Sequence, residues 1–194
     1  MANTIFRDNL KMLTDSVNTI EEKHIEPALR CIEMTREAIV SGGKIILCGN
    51  GGSSSNAAHI ANDFVGHMNN WERKGYPAIC LTDNIATLTA LTNDYGYDSV
   101  FQKQIEAMGK EGDIFWTFSA SGNSENVVRA VMAAKKMGIK TVAFTNSEGG
   151  KLKDLVDCWI GVNTRHAMLT EALHLFYIHS IAEAVELDID PVTK

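Results

Sequence analysis

From Lys44 onward, short apolar runs alternate with longer amphipathic stretches, and this alternation limits what the chain can fold into more than any other feature. Continuous apolar strands separated by helices are typical of a parallel sheet that is covered on both faces. We therefore predict an α/β fold, a three-layer αβα sandwich around a central five-stranded parallel sheet. The predicted strands are residues 45–48, 78–81, 114–118, 141–144 and 158–161, and the predicted helices between and after them are residues 55–67, 85–92, 125–137 and 167–187.

The first forty residues carry apolar side chains at helical spacing and contain little that could do chemistry. The pattern predicts two N-terminal helices, the second ended by Ser41-Gly42-Gly43, which pack on the sheet or on another copy of the chain. The chain shows no internal repeat, low-complexity segment or linker. We therefore expect residues 1–194 to form a single domain, with N-terminal helices in 1–41 and the α/β core, including a long last helix, in 44–190.

Composition excludes several classes of function. The formal net charge of -6 argues against a general nucleic-acid binder, whose surface is usually basic, but a small phosphorylated ligand remains compatible. No apolar stretch is long enough to span a bilayer, and the N-terminus lacks the apolar run of a signal peptide. Four widely spaced cysteines without a CxxC pair indicate a reducing compartment. These features predict a cytoplasmic protein that binds neither membrane nor nucleic acid.

Two loops rich in glycine and serine follow predicted strands. Residues 48–55 precede a helix expected to begin near Asn56, and residues 119–124 precede one expected near Glu125. Backbone N–H groups and hydroxyls at a helix N-terminus favour an anion, although Ser and Asn caps alone would select similar residues. Neither loop has the P-loop or GxGxxG pattern of nucleotide sites. Two such loops at the carboxyl edge of one sheet predict a phosphate pocket, centred on residues 119–124.

Histidines and carboxylates on two predicted helices are candidates for catalysis or metal binding. His59 and Asp63 are four residues apart and share a helix face, as does His67 after them; the alternative is an exposed i,i+4 pair. On the last helix, Glu171 and His179 are separated by about 80° in azimuth and about 12 Å along the axis, whereas His174 points elsewhere. One metal bound by both would need extended side chains, so we predict a pocket at an interface between copies.

The loop Ser119-Ala120-Ser121-Gly122-Asn123-Ser124, followed by an amphipathic helix, resembles the phosphosugar-binding signature of sugar isomerase (SIS) domains. Together with Cys48-Gly-Asn-Gly-Gly-Ser53, Asn93-Asp94 and a histidine in the last helix, it resembles the phosphoheptose isomerase family along essentially the whole chain. The resemblance implies the SIS fold and conversion of sedoheptulose 7-phosphate to D-glycero-D-manno-heptose 7-phosphate for lipopolysaccharide or capsule. It also implies a homotetramer with interfacial active sites and, as in several members, bound zinc.

The same resemblance assigns roles to individual residues. His59 and His179 match metal ligands, and His179 also matches a catalytic acid/base. Asp63 stands where the family has a glutamate base, and Glu171 stands where it usually has glutamine. The implied catalytic residues are Asp63, His179 and Glu171, the implied metal ligands are His59, Asp63, Glu171 and His179, and the positions implied to contact substrate are Asn50, Gly51, Gly52, Asn93, Asp94, Ser119, Ala120, Ser121, Ser124 and Glu171.

The two departures leave the identity of the base open between Asp63 and Glu171, because aspartate is one methylene shorter than glutamate. Two other functions also stay open: isomerisation of a different phosphosugar, and a non-catalytic SIS protein that binds a partner such as a replication initiator. His59, His179 and a carboxylate at both intermediate positions favour the enzyme, since isomerisation needs a base beside the carbon and an acid or cation at the oxygens.

Overall fold

The computed structural model describes residues 2–191 and is built around one parallel sheet. The strand order is β2-β1-β3-β4-β5, and every neighbouring pair is parallel. This confirms the three-layer sandwich and all five predicted strands. The strands are β1 (Ile45–Gly49), β2 (Ala78–Cys80), β3 (Ile114–Phe118), β4 (Lys140–Asn146) and β5 (Cys158–Val162).

Helices surround the sheet, and the two N-terminal helices are confirmed. The helix after β1 begins at Gly52, earlier than predicted: Gly51 is its N-cap with φ +57°, and its carbonyl accepts from the N–H of Ser54 (3.0 Å) and from Ser54 Oγ (2.9 Å). The helix at residues 100–108 was not predicted. Within residues 2–191 the α-helices are α1 (Ala2–Asn18), α2 (Glu22–Val40), α3 (Gly52–Val65), α4 (Ile85–Tyr95), α5 (Val100–Met108), α6 (Glu125–Lys136) and α7 (Ala167–Ile189), with a 3-10 turn at Tyr97–Ser99.

Alternate residues of each central strand enter different halves of the core. Leu47 and Trp116 point toward the layer made by α2, α3 and α7, whereas Ile46 and Phe115 point toward α5 and α6. Each such side chain is fully buried and contributes about 1.5–3 kcal/mol relative to exposure. Burial on both faces explains why the strands are continuous apolar runs.

The two edges of the sheet differ in chemistry. At the amino edge, the fully buried Asp113 carboxylate accepts from the backbone N–H groups of Lys44 and Lys110 (2.9 Å each) and pairs with the Lys44 ammonium. This ion pair joins the starts of β1 and β3 and leaves the carboxyl edge free for the loops described below.

Two structural features bear on the predicted compartment and on membrane binding: the state of the cysteines and the character of the helices. All four cysteines (Cys31, Cys48, Cys80 and Cys158) are buried and free. Among residues 2–191, no helix has the length and apolar character that crossing a membrane would require.

Candidate active site

The two serine- and glycine-rich loops lie side by side. β1 ends at Gly49 and β3 ends at Phe118, and these two residues are register partners in neighbouring strands. α3 and α6 begin directly after the loops, so their N-termini lie at the same carboxyl edge of the sheet. This arrangement agrees with the expectation that both loops contribute to one pocket.

The loop at residues 119–124 is preformed. The hydroxyl oxygens of Ser119 and Ser124 are 3.0 Å apart, and Ser121 Oγ accepts from the Asn123 N–H (3.2 Å). Gly122 has φ +66°, and a Cβ there would collide with the carbonyl of Gly149, so glycine is required for this close approach. Hydroxyls and the first N–H groups of α6 therefore line a rigid cradle suited to an anion.

The connection between β4 and β5 supports this cradle from behind. Asn146 donates its N–H to the Ala120 carbonyl (2.9 Å), and Leu152 donates to the Gly122 carbonyl (3.1 Å). Lys151 also donates its N–H to Asn123 Oδ1 (3.1 Å). Hydrogen bonds within the protein therefore define the shape of the loop.

An amide pair that the sequence did not reveal ties the two loops together. Asn50 Nδ2 donates to Asn126 Oδ1, and Asn126 Nδ2 donates to Asn50 Oδ1, both at 3.0 Å. Tyr97 Oη donates to the same Asn50 oxygen (2.7 Å). With two donors on Asn50 Oδ1, its amide mainly holds loop geometry and has one N–H left for a ligand.

Asn93 and Asp94 lie in the last turn of α4, just before Tyr97, and are exposed. Asn93 Nδ2 donates to Asp94 Oδ1 (2.9 Å). The Tyr97–Asn50 bond draws this end of α4 toward the first loop, but the side chains of Asn93 and Asp94 bond to each other.

Three of the predicted metal ligands form a cluster between α3 and α7. The Nε2 atoms of His59 and His179 are 2.7 Å apart, and Asp63 Oδ2 is 3.5 Å from each of them. Metal–nitrogen bonds of about 2.0–2.1 Å would put tetrahedral ligands about 3.3 Å apart, so the rings need only a small separation to accept an ion. Within the described residues 2–191, this is the one His/Cys/Asp/Glu group close enough to hold a metal.

The cluster comes from a single chain because α3 and α7 run side by side in the same direction. Asn56 contacts Glu171 and His59 contacts His179, in that order along both helices, and Met68, just after the end of α3, contacts Glu186 further along α7. A second copy is therefore not needed to bring His59, Asp63 and His179 together. The expectation of a pocket between copies depended on Glu171 and His179 sharing one metal, and it stays a prediction.

Glu171 lies outside this group, at the other end of the same interface. Its carboxylate sits against the backbone of Gly52, where a Cβ would overlap it, and its carbonyl accepts from Asn56 Nδ2 (2.9 Å). Glu171 thus faces the first loop and the N-terminus of α3, and not the histidine cluster.

The other histidines have structural surroundings. His174 is fully buried and donates from Nε2 to the Thr145 carbonyl (3.1 Å); burial lowers its pKa to about 4. His67 packs against the exposed Trp71, with ring centroids 3.9 Å apart and the ring planes inclined by 36°. Arg165, in the loop before α7, pairs with Glu148, and both side chains are exposed.

Comparison with known proteins gives consistent matches. The family model described as "SIS domain" matches residues 6–146. A phosphoheptose isomerase of Crocosphaera subtropica is 41% identical over 89% of this chain and 90% of its own length, and a probable phosphoheptose isomerase of Thermoplasma acidophilum is 37% identical over 92% and 98%. The solved structure of a phosphoheptose isomerase from Neisseria gonorrhoeae superposes with a TM-score of 0.89 at 30% identity, covering 95% of this chain and 99% of that one.

Proposed function

The chain belongs to the SIS domain family and, within it, to the phosphoheptose isomerases, and on this premise we propose that it converts sedoheptulose 7-phosphate to D-glycero-D-manno-heptose 7-phosphate. It is an aldose–ketose isomerase, in which a proton moves between adjacent carbons and between their oxygens without net oxidation. The observation that carries this proposal is an anion cradle next to a loop that faces the carboxylate of Glu171. The product would feed bacterial heptose synthesis for lipopolysaccharide or capsule.

Substrate binding divides between the two loops. Ser119, Ala120, Ser121 and Ser124 hold the phosphate, with the dipole of α6 behind them. The first loop and the end of α4 hold the uncharged part of the sugar, through Asn50, Gly51, Gly52, Asn93 and Asp94. The Asn50–Asn126 amide pair supports this division because it fixes the separation of the two loops.

Proton transfer at carbon needs one base, and we assign it to Glu171. Its contact with Gly52 supports this role, because the first loop is where the carbon chain of a sugar held by the second loop would lie. His179 serves the substrate oxygens as acid and base. Asp63, 3.5 Å from His179 Nε2, orients that ring and is the second candidate for the base.

The donor set of His59, Asp63 and His179 fits a divalent ion such as Zn²⁺, since two imidazoles and one carboxylate leave a position open for another ligand. When bound, zinc would stabilise negative charge on a substrate oxygen. Glu171 was predicted as a fourth ligand from the resemblance. In this assignment it does not bind the metal and contacts only the substrate. The positions of these three donor side chains support a metal site whether or not the protein is active as an isomerase.

The working unit is a homotetramer with active sites at subunit interfaces, and we place it in the cytoplasm. Support comes from an apolar groove of about 400 Å³ between the N-terminal helices and α7, lined by residues that include Val17, Ile25, Leu29 and Phe176. Phe176 is 58% exposed and lines this groove, and a second copy covering the groove would bury it. Sedimentation should therefore give a mass several times that of one chain.

The deciding experiment incubates the purified protein with sedoheptulose 7-phosphate and identifies the product by NMR. Parallel samples contain a chelator, or a chelator followed by added zinc, and a panel of ketose phosphates of other chain lengths. Formation of the heptose aldose, lost with chelator and restored by zinc, supports the whole proposal. Turnover of only another ketose phosphate would replace the substrate, and binding without turnover of any would identify a non-catalytic phosphosugar-binding protein.

A further inference from the structure

The segment between α3 and β2 is irregular, yet a single buried carboxylate organises it. Glu186, on α7, has no exposed surface and accepts from the backbone N–H groups of Met68 (2.8 Å), Asn69 and Asn70 (2.8 Å). Its fourth donor is Arg73 Nε. Burial by itself would raise the pKa of Glu186, but these donors outweigh it and lower the pKa to about 2.

The same arginine closes the end of α3. Arg73 Nη2 donates to the Asp63 carbonyl (2.9 Å), and Nη1 donates to the carbonyls of Phe64 and Lys74 (3.1 Å each). These carbonyls include the last turn of α3, where a cation also complements the helix dipole. The Arg73 side chain is 1% exposed, and its bonds to the carbonyls of Asp63 and Phe64 are partly buried, whereas its bond to the Lys74 carbonyl is at the surface.

Arg73 and Glu186 therefore join the backbone of Asp63 to α7. Glu186 lies seven residues, or about two turns, after His179 on that helix. An aspartate side chain has only two rotatable bonds, so the position of its carboxylate follows the position of its backbone closely. Any slide of α3 against α7 would change the distance between Asp63 and His179 directly.

We propose that Arg73 and Glu186 are positioning residues for the His59–Asp63–His179 cluster, because they set the separation of Asp63 from His179. The expected effect on kcat rests on the proposed function. The expected effect on the distance between Asp63 and His179 does not. Two planar groups with several fixed hydrogen bonds hold a distance better than apolar packing does. A displacement of about 1 Å in such a site can cost on the order of a hundredfold in rate.

Asp113 provides a matched control, because it is another buried, ion-paired carboxylate but lies away from the histidine cluster. Asp113 is also fully buried and also accepts two backbone N–H groups and a cationic side chain, from Lys44 and Lys110. It lies at the amino edge of the sheet, whereas the cluster lies between α3 and α7. Asp113→Asn should lower stability much as Glu186→Gln does while leaving the cluster unchanged.

The test compares Glu186→Gln, Arg73→Lys and Asp113→Asn with the unaltered full-length chain. We measure zinc affinity by competition with a fluorescent chelator, kcat and KM with sedoheptulose 7-phosphate, and the thermal midpoint. We expect Glu186→Gln and Arg73→Lys to lose about tenfold to a hundredfold in zinc affinity and in kcat, with KM within about twofold. Asp113→Asn should change the thermal midpoint only.

Arg73→Lys is the milder variant and guards against loss of folding. A lysine can still pair with Glu186 but has one nitrogen, so it cannot also cap the carbonyls of Asp63 and Phe64. If Arg73→Lys keeps wild-type zinc affinity and kcat, or if Asp113→Asn loses as much of both as Glu186→Gln, the positioning role is wrong.

An additional readout needs neither metal nor sugar. In the metal-free proteins, proton–nitrogen NMR correlations report the tautomers of the His59 and His179 rings, which are set by the contact between them. We expect altered ring signals in Glu186→Gln and Arg73→Lys but not in Asp113→Asn. Unaltered ring signals in both Glu186→Gln and Arg73→Lys overturn the inference, even if the wild-type enzyme turns over sedoheptulose 7-phosphate. Altered ring signals in these two variants support it, even if the wild-type enzyme does not turn over that sugar.

Discussion

The two glycine- and serine-rich loops are similar in sequence but opposite in electrostatics. At the first loop, the N-terminus of α3 already faces a carboxylate of the chain itself, that of Glu171 against Gly52. At the second loop, hydroxyls of Ser119 and Ser124 line the opening of α6. Glu125, in the first turn of α6, is paired with Arg129 and Lys151.

This difference assigns the loops to different parts of a phosphosugar. A helix N-terminus attracts an anion, but the field of α3 is partly offset by Glu171. We therefore expect a phosphate to be repelled from the first loop and accepted by the second. Neutral hydroxyl groups, and a carbon that must lose a proton to a nearby base, suit the first loop.

The largest effect should come from removing the carboxylate that distinguishes the first loop. Glu171→Gln keeps the shape of the side chain but cannot accept a proton, so kcat should fall by about 10²–10⁴ while KM changes little. Asp63→Asn should lower kcat less than Glu171→Gln does. Glu111→Gln serves as the control, because Glu111 is exposed at the amino edge of the sheet. Steady-state kinetics decide, and a larger loss in Asp63→Asn would transfer the role of base to Asp63.

The second prediction makes the second loop electrostatically like the first. Ser121→Asp can still accept the Asn123 N–H, so the loop should keep its fold, but its charge would oppose the phosphate. We expect KM to rise about a hundredfold, which corresponds to about 2.7 kcal/mol, with kcat less affected. Ser121→Asn is the neutral control. An equal KM for the two variants would exclude the second loop as the phosphate site.

The third prediction breaks the connection between the loops. Asn126→Ala leaves the Asn50 amide without its partner, so the free energy of unfolding should fall by about 1–3 kcal/mol and KM should rise severalfold. Tyr97→Phe removes one bond and should cost about 0.5–1.5 kcal/mol. Urea unfolding of Asn50→Ala, Asn126→Ala and the double variant gives the interaction free energy between the two side chains. If the losses in free energy of unfolding are strictly additive, the two asparagines do not act as a unit.

The last prediction concerns the pH dependence of stability that comes from His174 on α7, the helix that carries Glu171 to the first loop. Burial lowers the pKa of His174 to about 4, so the unfolded chain takes up a proton below about pH 6.5 that the folded chain refuses. Stability should therefore fall between about pH 6.5 and pH 4, by about 1.4 kcal/mol per pH unit for this one group. In urea unfolding at pH 7 and pH 5, His174→Gln should show a smaller difference than the wild type. An unchanged difference would contradict this origin.

Much of this fold follows from local pattern. The apolar runs gave all five strands and the parallel sheet, and glycine and serine after two of them gave the loops. Residues 100–108 were missed as a helix because their length is only nine residues and they follow a 3-10 turn directly. The start of α3 was placed too late because serines are typical of caps, whereas here Ser53, Ser54 and Ser55 already belong to the first turn.

The sequence by itself determined every strand and every α-helix except the helix at residues 100–108, together with the two loops and the shared face of His59 and Asp63, because each depends on a pattern within one segment. Only the tertiary structure decided that α3 and α7 lie side by side, which brings His179 to His59 across 120 residues. It also separated Glu171 from the cluster and joined Asn50 to Asn126 and Arg73 to Glu186. Such contacts depend on how whole helices pack against a shared sheet, and no local pattern encodes that packing.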